Sequence, residues 1–89
     1  MGQVAVIYRL MPTGVEVDMK AMAEEARKVV PPEAKLQGMQ VKDIAYGLKA
    51  LLMRVIMADA GGTQDKVESA LKLVPNVENV EVIDIDLVS

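Results

Sequence analysis

Few side chains in this sequence are equipped for chemistry. Asp84 and Asp86 stand at i and i+2, which on an extended segment puts both carboxylates on one side, where their oxygens could reach a divalent cation. Two ligands fall short of a cation shell, and a solvated, aggregation-resistant strand face explains the same spacing. Glu24-Glu25 takes the same solvated reading on a helix face. Gly61-Gly62-Thr63 precedes a helical pattern and could turn backbone N–H groups toward a phosphate. The lysine and longer glycine spacing of a phosphate-binding loop are missing, and a turn in which glycine takes positive φ and threonine caps the helix accounts for the run. Tyr8-Arg9 would hold a phosphate only beside a glycine-rich loop, and none follows between Pro12 and Val17.

The rest of the inventory narrows the chemistry further. The 89 residues contain no cysteine and no histidine, which removes disulfides, zinc fingers, thiol nucleophiles and every Ser-His or Cys-His dyad. An enzyme would have to work through carboxylate, lysine or tyrosine, and no spacing assembles such a site. Net charge −3 gives a field that does not favour polyanions, and Lys20, Lys28, Lys35, Lys42 and Lys49 form no linear basic patch. Tyr8 and Tyr46, the only aromatics, are too few for a base-stacking platform. No direct nucleic-acid ligand is expected. Hydrophobic residues at 52% and charged residues at 26% fit one globular domain over 1–89. The N-terminus has no signal-peptide pattern, and the apolar run from Ala50 to Ala58 is broken by Arg54 and too short to span a bilayer. A cytoplasmic protein without membrane partners is expected.

The elements that must position these residues follow from periodicity. Val4, Val6, Tyr8 and Leu10 alternate with Ala5, Ile7, Arg9 and Met11, and both sets are largely apolar, as in an interior strand. Asp18 is placed to cap a helix beginning near Met19, whose packing stripe is Met19, Met22, Ala23, Ala26, Val29 and Val30, and Pro31-Pro32 stops it. Lys35 to Ile44 alternates irregularly and reads as a strand with a bulge or bend. Leu48 to Ala58 is a clean strand, and the short Tyr46-Gly47 link makes the two a hairpin. Asp59 to Thr63 is a turn, and Val67, Ala70, Leu71 and Val74 line a second helix running up to Pro75-Asn76. In the final segment the apolar phase slips between Val82 and Ile83, which a bulge would reconcile. The methionines Met19, Met22, Met53 and Met57 fall on buried faces and read as core filling.

Strand, helix, strand, strand, helix, strand is the α+β, ferredoxin-like βαββαβ sandwich, a four-stranded antiparallel sheet with two helices on one face. The helix ends Ala26-Arg27-Lys28-Val29-Val30-Pro31 and Ala70-Leu71-Lys72-Leu73-Val74-Pro75 echo one another, through either an internal repeat or similar stop signals.

What this frame does not require is Tyr46. It stands at a strand-to-strand corner beside Gly47, where it is either an anchor for a protein partner or a satellite core contact. The run Ile44-Ala45-Tyr46-Gly47-Leu48-Lys49-Ala50-Leu51 resembles the pattern of apolar, small, aromatic, glycine, apolar, lysine, variable, leucine of the guanine-nucleotide-exchange domain of translation elongation factor 1-beta, especially its free-standing archaeal form. The likeness covers essentially the whole chain and continues through the acidic turn near Asp59, Gly61-Gly62-Thr63, and the helix carrying Val67 and Leu71.

The resemblance implies a ferredoxin-like fold and a guanine-nucleotide exchange factor. Such a factor promotes GDP release from elongation factor 1-alpha, a GTPase, so that GTP reloads during translation elongation. It implies partner contacts at Tyr46 as apolar anchor, Gly47 as a point of close backbone approach and Lys49 as a charge, with no cofactor, no metal and no catalytic residue. Alternation alone sends Tyr46 and Lys49 to opposite faces. Eukaryotic relatives carry a lysine next to the C-terminus that is thought to disturb the magnesium and phosphate site of the GTPase. This sequence ends Ile85-Asp86-Leu87-Val88-Ser89, so either another group or displacement of a switch segment is expected to do that work. The additional N-terminal region of those relatives, and recruitment through it, is not expected. The rival readings are a structural module of a ribosomal assembly and an amino-acid-sensing regulatory domain, both of the same fold.

Overall fold

The structure is a computed structural model, and it describes residues 2–58 and 62–88. Along the chain run β1 (Gln3–Pro12), α1 (Met19–Val29), β2 (Ala34–Ala45), β3 (Leu48–Ala58), α2 (Thr63–Lys72) and β4 (Val77–Leu87). The strands form one antiparallel sheet in the order β2-β3-β1-β4. Both helices pack on one face of it, the ferredoxin-like arrangement the element order predicts.

The irregularities predicted from broken alternation are where the register shifts. In β4, Tyr8 pairs with Val82 but Ile7 pairs with Asp84, so Ile83 is the extra residue and Val82 and Ile85 share a face. In β2, Leu36 pairs with Val55 and Gly38 with Arg54, so Gln37 is the bulge. A second shift between Asp43 and Ala45 leaves Ile44 unpaired next to the turn.

The central strands supply the core. Val6, Tyr8 and Leu10 of β1 and Leu51, Met53, Val55 and Met57 of β3 meet Met22 and Ala26 of α1 and Val67 and Leu71 of α2. Asp18 caps α1, its carboxylate accepting from the backbone N–H groups of Lys20 at 3.0 Å and Ala21 at 3.3 Å. α2 departs from expectation at both ends. Thr63 is its first residue and not its cap, because Gly62 takes the cap position at φ 97 and no side chain closes the end. Its last turn tightens at Leu73, whose N–H donates to the Ala70 carbonyl while the Val74 N–H donates to the Leu71 carbonyl, each at 3.2 Å, so the helix stops before Val74, which is still buried. Asp59, Ala60 and Gly61, the start of the predicted turn, lie outside the described residues. Ile85 and Leu87 share the core-side phase yet stay exposed, since an edge strand has a neighbour on one side only.

Tyr8 shows how a polar atom enters this core. Its ring is fully buried, and its hydroxyl donates to the Gln64 carbonyl at 3.3 Å, joining β1 to the first turn of α2. Burial first, then the carboxylates of Glu68 and Asp65, push its pKa from 10.0 up to about 12. The unfolded chain therefore releases this proton at lower pH than the folded one. The stability it protects is complete below pH 10 and falls as pH rises toward 12, by roughly 2–3 kcal/mol. Urea denaturation of the wild-type chain and Tyr8→Phe should differ by a constant up to about pH 9.5 and then converge. A difference that stays constant to pH 12 would contradict the assignment.

Candidate functional site

β1 pairs with β3 only as far as Leu10 opposite Leu51, whereas β2 and β3 continue to Ala45 opposite Leu48. The end of the β2–β3 hairpin thus overhangs the sheet. Tyr46 and Gly47 form its two-residue turn with φ of 53 and 79, the paired positive values of a type I′ turn, whose twist matches that of the strands it joins. Glycine is at home in this conformation. A tyrosine there costs about 1 kcal/mol and replaces the Asn or Gly that the turn prefers.

Nothing inside the fold offsets that cost. Tyr46 is 102% exposed, so its ring stands free at the corner and is not a satellite of the core. Other exposed apolar side chains stand at the same end: Ile44 on its bulge, Val41, and Val15 of the β1–α1 connection. Ile44 opens the run from Ile44 to Leu51, whereas no periodicity announces the exposure of Val41 or Val15. Val15 follows the turn signals Pro12, Thr13 and Gly14, and an apolar residue in such a loop was the available clue.

Lys49 lies one rung below the turn, opposite Asp43. It lines a shallow cleft with Pro12, Val15, Asp18, Met19 and Lys20. Two lysines and one aspartate thus line the cleft, and the Asp18 carboxylate is engaged in capping α1. The Thr13 N–H donates to the Asn76 carbonyl at 2.9 Å, which ties the β1–α1 connection to the α2–β4 connection behind it. Tyr46, Gly47 and Lys49 are thus gathered at one end of the molecule, the first two in the turn and the third on the cleft wall beneath it.

A Cβ added to Gly47 would meet nothing within 4 Å, so substitution there tests backbone conformation alone. Gly47→Val should destabilise the domain by about 1–3 kcal/mol, because a β-branched residue resists positive φ, whereas Gly47→Asn should cost less than about 1 kcal/mol. Thermal denaturation of the two variants checks this. Equal losses would mean that the turn does not depend on the left-handed conformation.

The other chemical candidates are not assembled. Asp84 and Asp86 pair with Ile7 and Ala5 on the sheet face away from the helices, and the Asp84 carboxylate accepts from the Ile85 N–H at 3.1 Å. Among the described residues no group of three potential ligands could hold a metal ion. Gly62 and Thr63 border a surface that also carries Glu33 and Asp65, and Lys66 there is paired with Glu33, a poor reception for a phosphate.

A four-stranded antiparallel sheet with two helices on one face and an overhanging hairpin that exposes an aromatic ring defines a small ferredoxin-like domain. Comparison with known proteins gives the domain its family. Residues 5–88 match the family profile described as the EF-1 guanine nucleotide exchange domain, and the chain belongs to that family. It is 36% identical to Elongation factor 1-beta of Methanococcoides burtonii, with 96% of each chain covered. It is 40% identical to Elongation factor 1-beta of Methanosarcina barkeri, covering 96% of this chain and 97% of that one. The C-terminal domain of the MgtC protein from Mycobacterium tuberculosis superposes with a TM-score of 0.54 at 15% identity, over 99% of this chain and 88% of that domain, a likeness of fold. Guanine-nucleotide exchange in translation elongation, with elongation factor 1-alpha as the GTPase served, is the function this membership gives.

Proposed function

We propose that the chain accelerates GDP release from elongation factor 1-alpha by applying the overhanging β2–β3 hairpin to the GTPase. Tyr46 enters an apolar recess, Gly47 lets the backbones approach, and Lys49 contributes charge from the cleft wall below. The observation that carries this reading is the fully exposed Tyr46 ring on a strained turn, an arrangement that costs stability and contributes no packing in return.

The exchange is work done by binding. A GTPase grips its nucleotide through a phosphate-cradling loop and magnesium, with switch segments tied to both. The factor accelerates release only by as much as it prefers the distorted, nucleotide-free state over the GDP state. By reciprocity, incoming nucleotide expels the factor. Lowering the release barrier by about 4 kcal/mol corresponds to roughly a thousandfold faster release. No bond to substrate is made or broken, so the chain acts as a binding domain over its full length and not as an enzyme. It works in the cytoplasm, where elongation occurs, without contacting nucleic acid directly. No described helix is long and apolar enough to cross a membrane.

The test is release of a fluorescent GDP analogue from elongation factor 1-alpha of the same source, with substoichiometric amounts of this chain. Acceleration with turnover is the expected result. An active, nucleotide-loaded GTPase whose release rate is unmoved would overturn the proposal.

A further inference from the structure

The sheet has a second face, which the helices leave uncovered, and its charges are sorted by strand. Register places Lys35, Ile56, Ala5 and Asp86 in one row from β2 to β4. The next rows are Gly38, Arg54, Ile7 and Asp84, then Gln40, Leu52, Arg9 and Glu81. Ile56, Ile7 and Leu52 make a half-buried apolar middle. Acids line the β4 margin, and Lys35 stands at the β2 margin with Arg54 inside it. Arg9 is neutralised locally by Glu81 at 2.8 Å. Among the described residues neither Lys35 nor Asp86 has an ion-pair partner.

A surface with this pattern is complementary to itself in one orientation. If a second copy lies face to face with a two-fold axis parallel to the strands, the strand order reverses across the interface while the rows stay level. β2 then faces β4 and β3 faces β1, so that Lys35 meets Asp86 of the second copy, Asp86 meets its Lys35, Ile56 packs on its Ala5, and Arg54 lies over its Ile7, one strand away from its Asp84. A two-fold axis across the strands would instead set β4 acids against β4 acids. We propose that this open face binds a second copy of the chain about the axis parallel to the strands. Four strands at about 4.8 Å spacing and eight paired residues at about 3.4 Å rise give a projected patch of roughly 500 Å² per copy. That is the low end for a specific interface, so the dimer is a weak one. The hairpin tip lies at the end of the sheet and stays free, so the pairing is independent of the exchange reading.

Sedimentation equilibrium of the full chain from about 5 μM to 1 mM at low salt tests it. The weight-average mass should rise from 9.6 kDa toward twice that value. Lys35→Glu should weaken association at least about tenfold, and the charge-swapped Lys35→Glu/Asp86→Lys should return to within about threefold of the wild type. Circular dichroism confirms that the variants are folded. A monomer throughout, or a dimer indifferent to Lys35→Glu or strengthened by it, overturns the proposal. A monomer in which Lys35→Glu slows stimulated GDP release would assign the face to the GTPase instead and equally overturn it.

Discussion

Tyr46→Ala should lower stimulated GDP release by at least about tenfold, and by roughly thirtyfold if the ring is worth the ~2 kcal/mol of an interface hot spot, with the thermal midpoint of the domain essentially unchanged. The two halves of this expectation come from one fact. The side chain is 102% exposed, so truncating it creates no cavity and removes no internal contact, while a partner that buries the ring loses its anchor. Alanine keeps a Cβ in the left-handed region, so the turn is no more strained than before. The companion variant Tyr46→Asn sharpens the test. Asparagine tolerates φ near 53 better than tyrosine, so the domain should gain a few tenths of a kcal/mol up to about 1 kcal/mol while exchange falls as it does for alanine. A release rate within twofold of the wild type for both variants would remove Tyr46 from the contact surface.

Leu10→Ala should have the opposite profile. Leu10 is fully buried on β1, between Leu51 of β3 and Val80 of β4, at the level where β1 and β3 cease to pair. Truncation leaves a cavity among strands that cannot close on it, at a cost of about 2–5 kcal/mol. A domain of this length has only about 4–13 kcal/mol of stability in total, so the midpoint should fall by roughly 8–40 °C. Below that lowered midpoint the hairpin tip is intact, and stimulated GDP release measured there should stay near the wild-type rate. Parallel loss of stability and exchange in Leu10→Ala would show that the tip depends on the packing behind it.

The salt bridges of the surface enter neither expectation. Arg27–Glu24, at 2.7 Å and exposed, lowers the Glu24 pKa through its hydrogen bond and charge, but such pairs contribute little to stability in water. The domain is held by the sheet–helix core.

By itself the sequence determined the order and nearly the bounds of the elements, because each is written in a local signal. Apolar alternation marked β1 and β3, Asp18 and Pro31-Pro32 bracketed α1, and a lost phase in two strands marked bulges that the register places at Gln37 and Ile83. It also determined the family, since the run from Ile44 to Leu51 is contiguous and specific. It misread the ends of α2, where Gly62 and Thr63 both qualify as caps and only backbone geometry chooses between them. It did not decide whether Tyr46 was core or surface, because a hairpin turn has no periodicity to read. Tertiary structure decided that through pairing: β1 ends its partnership at Leu51, the hairpin runs past it, and the turn is left with nothing to pack against. The sorting of Lys35 and Asp86 to opposite margins of one face was likewise invisible along the chain. They are far apart in sequence, and only the strand order β2-β3-β1-β4 puts them in a single row.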